Sequence, residues 1–292
     1  MPGGTAVNFP PVMRWEHVAG YPCQTWFRGT SAIAATLPPV IGHRGAACCA
    51  PENTLAGFRK AKELGCRWVE FDVRLTADDR PVVLHDNRLE RTTTGRGSVS
   101  GMTLAEVRRH DAGSWFDPRF AGERVPKLEE AVAFLNELGL GANVELKAVR
   151  GVEAATGASV ADILARAWRG DPAHLLVSSF QHAVLAAVRD RASQLARGLL
   201  FHRVPRSWLR VAMALRCATI HVDHQWLRPT TAVEIRRAGF PLLAYTVNIS
   251  QRAKTLFDWG VTSVFSDAPH RLGDIAAGGR SCKRSLPIPL GL

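Results

Sequence analysis

The chain has 292 residues, of which 46% are hydrophobic and 22% are charged, with 25 Gly and 17 Pro. This is the composition of an ordinary globular protein with a sizeable core, and it excludes the collagen-like and low-complexity classes. The formal net charge of +11 admits three kinds of partner, namely nucleic acid, an anionic membrane surface or a small anionic substrate.

The two ends of the chain differ from its middle. Residues 1–38 are rich in Pro and Gly and are predicted to form an arm of unknown role, and residues 277–292 are predicted to form a C-terminal tail. We find no apolar run of about 18 residues and no apolar segment behind a basic start, so we expect no cleaved signal and no stable membrane insertion. The six cysteines are scattered and include no Cys-x-x-Cys pair, which favours a reducing location in the cytoplasm.

From residue 39 onward, short apolar runs alternate with longer amphipathic ones. Eight strands are predicted: Val40–His43, Trp68–Val73, Ala142–Leu146, Leu175–Ser178, Gly198–Phe201, Thr219–Val222, Leu242–Val247 and Ser263–Ser266. Helical patterns separate them: Thr54–Leu64, Leu128–Leu138, Ser159–Trp168, His182–Arg191, Ser207–Leu215, Thr230–Ala238 and Ser250–Trp259. The alternation is typical of α/β proteins with a parallel sheet. No G-x-G-x-x-G motif follows the first strand, so eight units predict a closed (β/α)8 TIM barrel over residues 39–276 rather than an open sheet.

One long segment interrupts the alternation. After a short strand over Pro81–His85, residues 87–125 contain a brief helix over Leu104–His110 and no other long regular pattern. Because loops of this length are uncommon inside compact barrels unless they are functional, we expect a small inserted subdomain over one mouth of the barrel.

Polar side chains mark the C-terminal ends of several predicted strands, where barrels of this type place their chemistry. Glu70 and Asp72 lie two residues apart on the second strand and therefore share a face, as do Glu145 and Lys147 on the third. We expect the three carboxylates to converge on the barrel axis.

Three buried carboxylates repel one another, so they remain ionised together only beside a cation. The sequence predicts one divalent metal ion held by Glu70, Asp72 and Glu145, and ligation by oxygen alone favours Mg²⁺ or Ca²⁺ over zinc. The alternative is a buried ion network in which Arg44 and Lys147 neutralise the same acids.

Two histidines stand at the ends of strands beside these carboxylates. His43 ends the first predicted strand and His85 ends the Pro81–His85 run. Since imidazole exchanges protons near pH 7, the pair is predicted to act as general acid and general base. A metal ion, two cationic side chains and an acid–base pair at one mouth indicate catalysis at a phosphate ester.

The same residues stand in motifs that together resemble the glycerophosphodiester phosphodiesterase family, over about residues 39–272. The motifs are His43-Arg44-Gly45 with Pro51-Glu52-Asn53-Thr54, Glu70-Phe71-Asp72, Pro81-Val82-Val83-Leu84-His85-Asp86, Glu145-Leu146-Lys147 and Tyr245-Thr246-Val247-Asn248. Leu89–Thr92, Asp111–Trp115 and Ile220–His224 are similar to the short cytosolic bacterial branch.

The resemblance implies a TIM barrel that hydrolyses small-molecule glycerophosphodiesters, such as glycerophosphocholine and glycerophosphoethanolamine, to sn-glycerol 3-phosphate and an alcohol. It implies that His43 and His85 are the acid–base pair and that Arg44 and Lys147 contact phosphate. A glycerol hydroxyl attacks phosphorus in the usual description of such enzymes, and water opens the cyclic phosphate. Tyr245 stands where many members carry Trp, which leaves the preferred headgroup open.

Three other functions have less support from the sequence. A related barrel phospholipase acting on lysophospholipid or sphingomyelin is disfavoured, because such relatives work outside the cell and this chain shows no signal and no disulfide framework. A binding protein on an inactive barrel would lack a histidine or a ligand, and none is missing. A nucleic-acid binder is disfavoured because the positive charge is dispersed and carried mainly by arginine, so we expect no nucleic-acid partner.

Overall fold

Eight parallel strands form a closed barrel in this computed structural model, which describes residues 32–273. With one further strand outside the ring, the described residues contain nine strands: β1 (Val40–Gly42), β2 (Trp68–Leu75), β3 (Pro81–Val83), β4 (Gly141–Leu146), β5 (Leu175–Ser179), β6 (Ala196–Phe201), β7 (Thr219–Asp223), β8 (Leu242–Tyr245) and β9 (Ser263–Ser266). Around the ring the order is β1, β9, β8, β7, β6, β5, β4 and β2, and β2 pairs with β1 to close it. The short β3 pairs antiparallel with β2 outside the ring. The predicted (β/α)8 TIM barrel is thereby confirmed.

Helices connect the strands and cover the outside of the ring. They are α1 (Leu55–Glu63), α2 (Leu104–Val107), α3 (Leu128–Leu138), α4 (Glu153–Ala167), α5 (His182–Arg191), α6 (Trp208–Ala214), α7 (Pro229–Arg237) and α8 (Ser250–Asp258). Alternate strand residues pack against these helices, as Val69, Phe71 and Val73 do on β2. None of the helices among residues 32–273 combines the length and the apolar character that crossing a membrane requires. The predicted arm and tail lie outside the described residues, apart from residues 32–38.

The barrel interior changes character from one end to the other. Near the N-terminal ends of the strands, Ile41, Leu176 and Phe265 form an apolar cluster with Ile33 and Leu37, which precede β1. Toward the C-terminal ends the interior positions carry acids. The apolar floor therefore supports a polar layer at the opposite mouth, as is usual for this architecture.

The segment between β3 and α3 has its own small core. Leu89, Val99, Val107 and Val125 are buried and pack together. The helix in this segment is shorter than the predicted Leu104–His110. The backbone amides of Arg109 and His110 bond to carbonyls three residues earlier, as in a 3-10 helix, rather than four residues earlier. Residues 87–125 thus fold over apolar side chains of their own.

Several other boundaries differ from the predictions, among them those of α4 and β8. Helix α4 begins at Glu153 rather than at Ser159. The sequence pattern does not indicate these first residues, because Gly157 has a low helix propensity. Gly157 permits close packing: a Cβ there would lie 2.6 Å from the carbonyl oxygen of Val184 on α5. Strand β8 ends at Tyr245 rather than at Val247, so Thr246 and Asn248 lie in the following loop.

Candidate active site

All seven predicted site residues meet at the C-terminal mouth of the barrel, on the side formed by β1, β2, β3 and β4. Asp72 on β2 is in register with Glu145 on β4, and Glu70 lies two residues earlier on β2. The carboxylate oxygens of these three buried residues lie within 4.8 Å of one another. Strand register therefore produces the predicted convergence of acids.

Asp72 is the most strongly paired of the three acids. Its Oδ1 lies 3.3 Å from Lys147 Nζ, its Oδ2 lies 3.4 Å from Arg44 Nε, and Asn53 Nδ2 donates a hydrogen bond of 2.9 Å to Oδ2. Burial acts to raise the pKa of Asp72, but Lys147 and Arg44 outweigh it and hold that pKa well below its usual range. Asp72 is consequently an ionised carboxylate at neutral pH.

Glu70 and Glu145 are less well neutralised. Burial, followed by the neighbouring charge of Asp72, raises the pKa of Glu70 to about 8, and the same two causes raise the pKa of Glu145. Glu70 Oε2 accepts a hydrogen bond from the backbone of Arg44, whereas the buried Glu70 Oε1 has no hydrogen-bond partner. Lys147 Nζ lies 2.9 Å from Glu145 Oε1. The predicted ion network is therefore present, and it leaves an unpaired carboxylate oxygen.

This donor set fits a hard divalent cation. The oxygens come from three converging carboxylates, Glu70 Oε1 has no hydrogen-bond partner, and burial together with the charge of Asp72 raises the pKa of Glu70 and of Glu145. Mg²⁺ and Ca²⁺ prefer oxygen ligands of this kind. The same carboxylates take part in the ion network with Arg44 and Lys147.

His43 contacts the residue that follows the last strand of the barrel. Its Nδ1 lies 2.6 Å from Asp267 Oδ1, and Asn248 Nδ2 donates to Asp267 Oδ2 at 2.8 Å. Burial acts to lower the pKa of His43, but Glu70 and the hydrogen bond with Asp267 outweigh it, so the pKa is raised. With Nδ1 engaged by Asp267, the other ring nitrogen of His43 is Nε2, which lies 3.8 Å from Glu70 Oε2.

His85 is oriented in the same manner by the residue that follows it. Its Nδ1 lies 2.6 Å from Asp86 Oδ1, and Arg91 Nε donates to Asp86 Oδ2 at 2.6 Å. Burial is the main cause that lowers the pKa of His85. Arg74 Nε also donates to the carbonyl of His85 at 2.7 Å, which fixes the backbone at the end of β3.

Arg44 occupies a tight turn between β1 and α1. Its backbone is left-handed, with φ of 51°, and Gly45 follows with φ of 90°. A side chain at Gly45 would collide with Gly57 on α1, since its Cβ would lie 2.6 Å from the carbonyl carbon. Glu52 accepts from Arg44 Nη1 at 2.8 Å and from Arg91 Nη1 at 2.7 Å. The turn, α1 and the inserted segment are thereby joined at Glu52.

At the mouth is an open cavity of about 500 Å³, lined by His43, Arg44, Ala47, Cys48, Glu52, Thr246, Asn248 and Asp267. A volume of this order is sufficient for a small diester. The sequence predictions assigned roles to His43 and Arg44 but not to Glu52, Asn248 or Asp267. Asp267 immediately follows β9, so the strand-end criterion applied to the last strand would have identified it. Glu52 has no such signal, because it lies in a loop.

Comparisons with known proteins agree on one family. The model of the glycerophosphoryl diester phosphodiesterase family matches residues 43–271. A glycerophosphodiester phosphodiesterase of Caldanaerobacter subterraneus is 33% identical over 234 residues, which cover 80% of this chain and 95% of the relative. Another, from Bacillus subtilis, is 31% identical over 246 residues, covering 78% of this chain and 83% of the relative.

Solved structures give the same result. A phosphodiesterase of Oleispira antarctica, in complex with the product sn-glycerol-3-phosphate, has a TM-score of 0.81 and 37% identity and covers 84% of this chain and 98% of its own. A glycerophosphodiester phosphodiesterase of Agrobacterium tumefaciens has a TM-score of 0.69 and 29% identity, covering 82% of this chain and 100% of its own. Barrel, site and relatives together show that the chain belongs to the glycerophosphoryl diester phosphodiesterase family and is a phosphoric diester hydrolase.

Proposed function

We propose that this chain hydrolyses glycerophosphodiesters, such as glycerophosphocholine and glycerophosphoethanolamine, to sn-glycerol 3-phosphate and an alcohol. The observation that carries the proposal is the convergence of two carboxylate-oriented histidines, three acids and two cations on one mouth. The product bound to the Oleispira antarctica phosphodiesterase supports the choice of substrate. The cytoplasm remains our prediction for the location.

His43 and His85 would move the protons. In each imidazole Nδ1 is engaged by a carboxylate, so Nε2 is the atom that reacts. One Nε2 removes the proton of the attacking hydroxyl, and the other Nε2 donates a proton to the leaving alcohol oxygen, so that the broken P–O bond leaves a neutral alcohol. The two imidazoles exchange roles when water opens a cyclic phosphate.

The charged residues would bind and hold the phosphate. Glu70, Asp72 and Glu145 would hold one divalent cation, Mg²⁺ or Ca²⁺, which when bound supplies Lewis-acid stabilisation of the phosphoryl oxygens. Arg44 and Lys147 pair with the two different carboxylate oxygens of Asp72, and their positive charges would contact the phosphate. Both cations are mostly buried, so they act where water screens them little.

The test measures release of sn-glycerol 3-phosphate from glycerophosphocholine and glycerophosphoethanolamine by metal-stripped enzyme. We expect no release without metal and restored release with added Mg²⁺ or Ca²⁺. The two ions and the two substrates are ranked in the same assay by kcat/KM. Absence of release from a folded, metal-supplemented enzyme would overturn the proposal and direct attention to lysophospholipid.

A further inference from the structure

The loops that follow β4 to β8 form one continuous surface at the mouth of the barrel, which we call the rim. It comprises residues 148–152, 180–181, 202–207, 224–228 and 246–249. Contacts link neighbouring loops: Gln181 donates to the carbonyl of Ala148, Phe180 stacks on His202 with centroids 4.5 Å apart, and Arg203 lies 3.5 Å from the ring centroid of Trp226. The rim adjoins the catalytic cavity, because Thr246 and Asn248 line that cavity.

The rim exposes large apolar side chains. Among the described residues, six large hydrophobic side chains are strongly exposed, and four of them lie in the rim: Val149, Val152, Trp226 at 51% and Ile249 at 68%. Isolated exposed hydrophobics are ordinary on a protein surface, but a concentration of them on one face indicates an interaction surface. A contact at this face would orient the catalytic mouth toward whatever is bound.

The rim also carries a positive excess. Its loops contain the exposed arginines Arg150, Arg203, Arg206 and Arg228. Two acids border them, because Asp223 accepts from the backbone of Gln225 and Glu153 accepts from the backbone of Gly151. Exposed apolar side chains combined with arginines and with a tryptophan are characteristic of proteins that lie in the interface of anionic lipid. A nucleic-acid site would use the arginines and the aromatic ring, but it would give no role to exposed Val149, Val152 and Ile249.

We propose that the rim docks on an anionic lipid surface, with the catalytic mouth facing the lipid. The apolar side chains enter the boundary between headgroups and acyl chains, and the arginines contact lipid phosphates. The docking is peripheral and reversible, and it requires no segment that spans a bilayer. It does not depend on which diester the enzyme cleaves.

The test measures binding of the full-length protein to large vesicles by co-sedimentation. One set of vesicles is phosphatidylcholine alone, and the other contains phosphatidylglycerol at about 30%. We expect binding to the anionic vesicles at low salt, weaker binding at high salt and little binding to the neutral vesicles. Failure to bind anionic vesicles at low salt would overturn the proposal.

Matched variants locate the contact. The triple variant Arg150→Gln, Arg206→Gln, Arg228→Gln is expected to lower the partition coefficient on the order of a hundredfold. The control Lys62→Gln, Arg67→Gln, Arg216→Gln removes the same charge from exposed residues at the opposite end of the barrel and is expected to change binding by less than about threefold. Equal losses in the two triple variants would show attraction by net charge alone and would overturn docking through the rim.

Two more measurements separate the remaining outcomes. The double variant Trp226→Ser, Ile249→Ser keeps the charge and is expected to weaken vesicle binding about tenfold or more. Hydrolysis of soluble glycerophosphocholine should be unchanged in all these variants. If the wild-type protein does not catalyse that reaction, the vesicle assay still measures docking, because it does not depend on turnover. Binding of duplex DNA that depends on the rim arginines, without binding of vesicles, would replace the lipid by nucleic acid as the partner.

Discussion

Each of the two histidines proposed to move protons is paired with its own carboxylate. Asp267 engages Nδ1 of His43, and Asp86 engages Nδ1 of His85, each at 2.6 Å. A carboxylate at Nδ1 fixes both the tautomer and the ring orientation, which is what a general acid or base needs before substrate arrives. The sequence motifs identify both histidines. They do not show that Asp267 pairs with His43, because the two residues are 224 positions apart in the chain.

At the scale of single residues, His43→Ala and Glu145→Ala are expected to abolish turnover while the fold is retained. His43→Ala removes a proton-transfer group, which accounts for about 10² to 10⁴ in rate, and Glu145→Ala removes a predicted metal ligand. Steady-state kinetics with circular dichroism checks the prediction. Activity near that of the wild type in either variant would contradict the assigned mechanism.

Arg91 is a positioning residue contributed by the inserted segment. It donates to both Asp86 and Glu52, and so supports His85 on one side and Arg44 on the other. We expect Arg91→Gln to lower kcat about tenfold and to change the pH profile, with partial rescue in Arg91→Lys. Arg96→Gln, at an exposed arginine of the same segment, is the control and should leave both unchanged. Equal kinetics in Arg91→Gln and Arg96→Gln would show that the contacts of Arg91 do not contribute to catalysis.

At the scale of elements, the period-2 strands and most helix positions could be predicted from sequence, because burial dictates their apolar patterns. The terminal turns of helices are harder to predict. The first turn of α4 was missed because Gly157 has low helical propensity, and the reason for that glycine is the approach of α5, which a single-sequence pattern does not contain. The inserted segment likewise has few periodic residues, so only its existence was predictable.

The packing of α4 against α5 gives a prediction of its own. Gly157→Ala would gain helix propensity but place a Cβ 2.6 Å from Val184 O and 2.8 Å from Ala187 Cβ. We expect the overlap to dominate and to reduce the free energy of unfolding by about 1 to 3 kcal/mol. Ala155→Gly, at an exposed position of α4, measures the propensity effect alone in the same urea titration. Stabilisation by Gly157→Ala would contradict this account of α4.

At the scale of the whole molecule, one buried histidine makes stability depend on pH. His221 lies inside the barrel with Nε2 2.9 Å from Thr219 Oγ1, and burial lowers its pKa to about 3. Since the unfolded chain binds this proton near pH 6.5, stability is full above that value and falls as pH decreases toward 3.

The contribution of His221 amounts to about 2 kcal/mol between pH 7 and pH 5. We expect His221→Gln, which keeps a partner for Thr219, to lose that part of the pH dependence of the free energy of unfolding. His182→Gln, at an exposed histidine, is the control in the same denaturant titrations. Parallel pH profiles for wild type and His221→Gln would show that His221 is not the titrating group.

The pair of His43 and Asp267 lies across the seam where the barrel closes. His43 follows β1, the first strand, and Asp267 follows β9, the last, and the backbone of His43 also donates to Ser266. During synthesis the histidine emerges more than two hundred residues before its partner. A nascent or truncated chain that ends before β9 would lack Asp267 and therefore the carboxylate that holds Nδ1 of His43, so we expect such a chain to be inactive. The contact between His43 and Asp267 thus forms only after β9 has been synthesised and has paired with β1.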